Sequence, residues 1–434
     1  MINNYIKKTS KEKFFFEVFP SALTILLPFF LITGPFLPDL AISLCAVIFI
    51  SNTIRGPFVS FRNYYKSTFF ICFTIFWITI VSSSLLSSDV FYSLETSFFY
   101  IRFGFFALST WFLLKINPKI IIYFFYVLIF CFLILICDGF FQFYSKENIF
   151  GWPIIETRIS SFFKEELILG SYLSRLLPLY FATLIFILQD SKKYFFKLVF
   201  FVTIFVLTEV LVFFSGERAA FFYINLSAIF ILILSNQYKL LRVSVLFISF
   251  SLIIIISLFD NQYKSRIVDF TLDQINASTS LNRETKKYYI FSLEHENHYK
   301  SAMLMFNDNK IIGIGPRLFR KNCDKKEYII SFESCTTHPH NTYVQLLAEV
   351  GILGFAQIFL YFVIFLYISS KHLFLKFKRR KILLNDFQIA LLSGAVITLW
   401  PFVPTGNFFS NWLNVVYYLP VGFLLFSLDT KNND

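Results

Sequence analysis

The sequence predicts an all-α polytopic membrane protein of about twelve transmembrane helices with one large outward-facing loop. Three observations predict it. The 434 residues are 56% hydrophobic and only 15% charged, and the mean hydropathy is +0.65, a balance unlike that of a soluble chain. Apolar windows of spanning length recur along the whole sequence. The short connections between them are basic in alternation, as positive-inside topology requires.

The elements follow in order. Lys7, Lys8, Lys11 and Lys13 lead into an apolar stretch with no small-residue cleavage site, so the start reads as a retained first helix rather than a removed signal. Apolar windows then fall near 19–37, 38–54, 67–86, 96–114, 120–138, 167–188, 196–214, 219–235, 243–259, 343–368, 387–406 and 409–428. The first two are the least separable. Windows 196–214 and 219–235 are divided only by the turn from Ser215 to Arg218.

Alternate connections carry Arg55, Arg62 and Lys66; Lys115 and Lys119; Lys192, Lys193 and Lys197; Lys239 and Arg242; and the cluster Lys371 to Lys381. With twelve spans all of these lie on the side of the basic N-terminus, so both termini are expected in the cytoplasm. The net charge of +12 is then mainly a matter of orientation and of anionic inner-leaflet lipids. Nothing in it supports nucleic-acid binding.

This orientation turns three segments outward: Asp138 to Glu166, the Ser215–Arg218 turn, and a long polar loop over 260–341 within a single integral membrane domain, 1–434. Apolar residues at helical spacing between Glu294 and Phe306 predict a short helix on the membrane surface. Ile311-Ile312-Gly313-Ile314-Gly315-Pro316 then ends it, because glycine and proline break helices. Cys323 and Cys335 stand twelve positions apart in this loop. An outer compartment is oxidising, so a disulfide between them is expected. The alternative, a metal site of these thiols with His338 or His340, matches no common zinc spacing.

The loop ends on His338-Pro339-His340-Asn341-Thr342-Tyr343. Two of only five histidines flank one proline, just before an apolar run. Imidazole takes up and releases protons near neutral pH, so this is where chemistry is expected. Asn341 or Thr342 should cap the following helix, whose positive dipole end then faces the same surface. Glu349 lies about two turns further on, as a partner for an arginine or as a catalytic group. Arg102 and Arg175 fall inside predicted spans, where a charge faces a polar cavity, pairs with a neighbour or snorkels. Arg218 opens a helix at the outer face, where backbone N–H groups and a guanidinium favour phosphate, or where it anchors the interface. Arginines there suit a lipid-linked pyrophosphate, and a histidine suits deprotonation of an attacking hydroxyl, a metal-free route to glycosyl transfer.

The chain resembles the bacterial O-antigen ligase and O-antigen polymerase family. The most specific match is Gly313-Ile314-Gly315-Pro316, Phe319-Arg320, Cys323, Cys335, His338 to Tyr343, and Glu349-Val350-Gly351. A second is Phe214-Ser215-Gly216-Glu217-Arg218-Ala219-Ala220. A third is Arg158-Ile159-Ser160, continuing from Glu166 to Tyr172. The resemblance spans roughly 155–430. It implies a metal-independent, inverting glycosyltransferase of the glycosyltransferase C type, using no cofactor. Such an enzyme takes an undecaprenyl-diphosphate-linked glycan donor at the periplasmic face of the bacterial inner membrane. By position it makes His340 the base, His338 a companion histidine and Arg218 the pyrophosphate-binding arginine. Family members commonly carry an arginine about eighteen residues before the first glycine of the Gly-x-Gly turn, with tryptophan four residues after it. Here those places hold His295 and Tyr299. His295 then joins the site, and the second arginine role falls to Arg175, Arg283, Arg317 or Arg320.

Four readings of activity remain. Transfer to lipid A–core makes the chain an O-antigen ligase. Transfer to a growing glycan makes it a polymerase, and transfer to protein a protein O-oligosaccharyltransferase. A transporter of lipid-linked glycan would need internal repeats and paired broken helices, which the sequence lacks.

Overall fold

The computed structural model describes residues 9–188, 194–237, 239–259, 265, 292–331, 334–378 and 382–431. Its helices are, in chain order, α1 (Ser10–Ile32), α2 (Phe36–Arg55), α3 (Thr68–Leu85), α4 (Val90–Ile116), α5 (Ile120–Ser145), α6 (Leu169–Leu188), α7 (Tyr194–Phe214), α8 (Arg218–Leu234), α9 (Lys239–Phe259), α10 (Leu293–Asp308), α11 (Thr342–Phe377), α12 (Asp386–Thr398) and α13 (Asn411–Lys431). Among the described residues no strand occurs beyond two isolated bridges, Glu147 with Pro153 and Ile155 with Arg158. Among the described residues nine helices, all but α7, α8, α10 and α12, are long and apolar enough to cross a membrane. The protein is all-α and polytopic. The count of twelve is not reached on length, because Val202–Phe214, α8 and α12 are apolar but shorter.

Several window limits are corrected. The window 387–406 overruns its helix: α12 stops at Thr398, and the chain from Leu399 to Ser410 is loop. Pro401, Pro404 and Gly406 account for the stop, since none of them sustains a helix there. The first two windows divide at Thr33-Gly34-Pro35, where Gly34 takes φ +118°. The window 343–368 becomes a helix of 36 residues, interrupted at Gly351 by a left-handed residue (φ 67°, ψ −166°). Glu349 therefore lies on the short segment ahead of that break. The expected loop 260–341 lies outside the described residues up to 291, apart from 265. Beyond 291 it contains α10, which buries Asn297, His298, Ser301, Ala302 and Met305 and packs against α11.

Lipid tails are as apolar as leucine, so close packing and interhelical hydrogen bonds hold such a bundle together. Helix α6 packs on α12, and α4 on both α13 and α2. At the α4–α13 crossing a Cβ on Gly422 would stand 2.5 Å from Cβ of Thr110, so only glycine permits the approach. Tyr100 on α4 donates to Oδ1 of Asn414 on α13 at 2.8 Å. Arg102 belongs to this scaffold, as the ion-pair reading anticipates: its guanidinium meets Asp39 at 2.7 Å.

At the C-terminal end of α8, Arg242 donates to the carbonyls of Leu232 (3.0 Å) and Ser235 (3.1 Å). Lys376 donates to that of Ser235 at 2.6 Å. These two cations satisfy carbonyls that the helix end leaves open. The opposite end of α8, which begins at Arg218, faces the loop segments that form the site.

Candidate active site

Asn341 sets the geometry at the start of α11. Its Oδ1 accepts the N–H groups of Tyr343 (3.0 Å) and Val344 (3.2 Å), and its Nδ2 donates to the Pro401 carbonyl at 2.8 Å. One side chain thus caps the helix and ties it to the Leu399–Ser410 loop. His340, immediately before, adopts φ +57°, a left-handed conformation that costs a non-glycine residue energy. The Thr405 N–H holds it there by donating to the His340 carbonyl at 2.9 Å. His338 has both ring nitrogens engaged, Nδ1 with the Thr337 hydroxyl (2.9 Å) and Nε2 with the Thr405 carbonyl oxygen (3.2 Å). A carbonyl only accepts, so Nε2 carries the proton and Nδ1 accepts from Thr337.

Helix α10 supplies two more imidazoles. Ser292 caps it by accepting the His295 N–H at 3.3 Å. His295 and His298, three residues apart, share one face. Ring centroids lie 4.1 Å apart for His338 and His340, 5.4 Å for His295 and His340, and 5.5 Å for His298 and His340. Four of the five histidines therefore meet around His340. Burial, then mutual repulsion and nearby arginines, disfavours the charged rings: His340 and His295 are each lowered to about 4, and His338 to about 3. All three are neutral at pH 7. Among the described residues no group of three or more His, Cys, Asp or Glu side chains is arranged to hold a metal ion.

The two other motif regions interlock beside this cluster. Glu217, in the turn before α8, accepts the Gly170 N–H (2.6 Å), the Ser171 N–H (3.1 Å) and the Ser171 hydroxyl (2.6 Å) at the start of α6. Burial pushes the Glu217 carboxyl upward, and these donors together with Arg158 oppose that shift. Arg158 braces the same turn, donating to the carbonyls of Ser215 (3.1 Å) and Leu167 (3.0 Å). A Cβ on Gly170 would fall 2.5 Å from Oγ of Ser215, so this contact admits no side chain. The result fixes Arg218 as the first residue of α8, with its charge felt at His295. Arg175, one helix away on α6, is 5% exposed. Its guanidinium sits over the rings of Tyr223 (4.7 Å) and Tyr417 (5.3 Å), and its Nε and Nη1 are buried without a hydrogen-bond partner.

The Gly313-Ile314-Gly315 turn docks by backbone. Ile314 N–H donates to the Ala348 carbonyl at 3.0 Å, and Gly315 N–H to that of Glu349 at 2.9 Å. The fully buried Glu349 side chain accepts from the Phe319 N–H (3.1 Å) and from Gln345 Nε2 (2.9 Å). Gln345 in turn binds Asn407 Oδ1 (2.7 Å) and the Phe408 N–H (2.9 Å). Glu349 thus fastens the turn that carries Arg317 and Arg320 to the Leu399–Ser410 loop. A disulfide joins Cys323 to Cys335 beyond this turn. Arg175, Arg317, Arg320 and His338 all line one cavity of about 930 Å³, as do Lys164 and Trp412.

The structure therefore brings His295, His338 and His340 together, with Arg218 beside His295 and with Arg175 and Arg320 in the adjoining cavity. Arg218 does not line that cavity, and Glu349 supports the arginine turn instead of facing it. Arg283 lies outside the described residues. Sequence reasoning missed His298, Thr405 and the stacked Tyr223 and Tyr417, whereas Arg317 was among the four arginines it left open. His298 was recoverable from its i,i+3 spacing to His295. Thr405 sat inside a window taken for a span, although Pro401 and Pro404 marked it as loop. The tyrosines carry no local signal, since only tertiary packing places them over Arg175.

No curated protein matches the chain. Residues 199–359 match the family model Wzy_C, described as O-Antigen ligase; the match covers α8, α10, the glycine turn, the paired histidines and the start of α11. Over those residues the chain is similar to an O-antigen ligase domain.

Proposed function

We propose that the protein is an O-antigen ligase. It transfers glycan from an undecaprenyl-diphosphate-linked donor to lipid A–core at the periplasmic face of the bacterial inner membrane. The observation that carries this reading is the meeting of His340 with three other imidazoles beside Arg218 and Arg175. A neutral base and a pair of buried or half-buried cations are what inverting transfer from a diphosphate needs. The alternating basic connections and the Cys323–Cys335 disulfide support the outward placement.

In this mechanism His340 accepts the proton of the acceptor hydroxyl as its oxygen forms a bond to the anomeric carbon. The bond from that carbon to the diphosphate oxygen breaks on the opposite face, and the electron pair leaves with the diphosphate. The stereochemistry inverts, and the route calls on no metal or cofactor. Arg218 and Arg175 hold the departing charge. Of the arginines left open by the sequence, Arg175 suits this role because it is buried, positioned by two tyrosines and has free N–H groups. In the unliganded site His340 is a weak base, lowered to about 4. Two negative phosphates bound nearby favour the imidazolium, so donor binding strengthens the base it requires.

The test is replacement of the chromosomal copy by His340→Ala, with insertion and folding checked separately. Loss of all O-antigen on lipid A, with lipid-linked polymer accumulating, is the expected result. Wild-type transfer in that strain would sink the assignment. A residual single-repeat band would make the chain a polymerase, and loss of transfer on chelation would restore a metal to the mechanism.

A further inference from the structure

If Arg218 and Arg175 serve the diphosphate, the cavity still has cations to spare. A diphosphate diester carries two negative charges, and two arginines answer them. Arg317, Arg320 and Lys164 remain on the cavity wall. Among the described residues neither Arg317 nor Arg320 has an ion-pair partner, and the Nε of each is buried without a hydrogen bond. Arg317 donates from Nη1 to the Thr96 hydroxyl at 3.3 Å and faces the ring of Tyr92 at 5.6 Å. The buried Glu349 carboxylate feels the Arg320 charge, but its hydrogen bonds go to the Phe319 N–H and Gln345. Among the described residues the only carboxylates on the cavity lining are Glu165 and Glu166, which are exposed.

The backbone here is built around these side chains. Arg317 takes φ +62°, a strained conformation for arginine. Gly315 N–H bonded to Glu349, and Phe319 N–H bonded to the Glu349 carboxylate, lock the turn on both sides of it. Guanidinium groups without an ion-pair partner among the described residues, at a locked turn on a cavity wall, are organised for an anion that arrives from outside.

We infer that the Arg317–Arg320 wall binds a negatively charged group on the glycan acceptor, a phosphate or a sugar carboxylate, and so selects an anionic acceptor. The inference rests on the transfer reading above. The cavity reaches the histidine cluster through His338, whose ring is 4.1 Å from that of His340. An acceptor anchored by its anion on Arg317 and Arg320 can therefore present a hydroxyl to His340. The donor diphosphate stays on the Arg218–Arg175 side.

The experiment uses the full-length protein in proteoliposomes, with a lipid-diphosphate glycan donor and lipid A–core glycolipid as the acceptor probe. The acceptor is supplied native, dephosphorylated with hydrofluoric acid, or with its carboxylates amidated. Loss of a charge-assisted pair should raise the acceptor KM about tenfold or more, and the treatment that does so identifies phosphate or carboxylate. Arg317→Gln and Arg320→Gln should raise the KM for native acceptor to a similar degree, raise that for the treated acceptor no further, and leave the donor KM unchanged. Arg317→Lys should recover most of the loss, which a merely collapsed turn would not. Equal KM for all three acceptors, or a rise in donor KM in the glutamine variants, would overturn the inference. Absence of transfer by the wild-type protein to every acceptor would strike the transfer reading itself.

Discussion

The carbonyl oxygen of Thr405 lies 3.2 Å from Nε2 of His338 and fixes which nitrogen of that ring carries the proton. Thr337 occupies the other nitrogen, so His338 has no lone pair to offer a substrate. His340 is held only through its backbone by Thr405, which leaves its ring as the base. His340→Ala should therefore lower kcat by about 10²–10⁴-fold, the range for a lost general base. His338→Ala disturbs only the placement of its neighbour and should cost about 10–100-fold. Single-turnover transfer assays on both purified variants check the order, and an equal or larger loss at His338 would reverse the two roles.

The pH dependence follows from the same cluster. Catalysis needs neutral His340, which in the free protein is lowered to about 4 by burial and by His295 and His298. The acid limb of kcat/KM should thus fall near pH 4, well below the usual histidine value of about 6.5. Stability runs in the same direction. An unfolded chain titrates its histidines near 6.5 and so binds more protons than the folded protein between there and about 4. The stabilisation is complete above that window and is lost as pH falls through it. Initial rates and thermal unfolding in detergent between pH 4 and 8 test both statements. An acid limb near 6.5 at low donor concentration would contradict the buried cluster.

The motif residues were legible because their chemistry is scarce in an apolar chain. Histidines, arginines and cysteines stand out against 56% hydrophobic composition, and the polar loop brought Cys323, Cys335, His338 and His340 forward together. Helix α10 was legible from its spacing, as was the start of α8 from the Ser215–Arg218 turn. The limits of α12 and the break in α11 were not, because hydropathy averaged over a window hides a single Pro401 or Gly351. The role of Glu349 was also beyond reach. Its partners, Phe319 and Gln345, combine a contact thirty residues back with one a single turn away, and only the folded turn reveals that it supports the arginines.

Gly313 is a second consequence of that turn. At φ +69° a Cβ would stand 2.4 Å from the Glu349 carbonyl carbon and from the Val350 nitrogen. Backbone cannot move aside as a flexible side chain can, so Gly313→Ala combines strain with overpacking and should destabilise the protein by about 2–5 kcal/mol. Gly34 provides the control. Its φ is +118°, but nothing lies within 4 Å of the added carbon, and Gly34→Ala should cost about 1–2 kcal/mol for strain alone. Thermal unfolding of the two variants side by side tests the difference, and an equal loss would show that crowding at Gly313 contributes nothing.

Glu349 gives the last prediction. Glu349→Ala leaves the Phe319 N–H buried without an acceptor, which should cost about 1–3 kcal/mol, and it removes one of the two partners of Gln345 Nε2. The turn bearing Arg317 and Arg320 then loosens on one side while the Gly315–Glu349 backbone bond still holds the other. Glu349→Gln keeps an oxygen for Phe319 and should retain most of the stability. A catalytic carboxylate would behave differently, since glutamine would abolish its chemistry as fully as alanine does. The expected pattern is therefore a graded loss, alanine worse than glutamine, in unfolding temperature and in acceptor KM together. If both variants remain stable and both lose kcat completely, Glu349 acts in proton transfer and the positioning role is wrong.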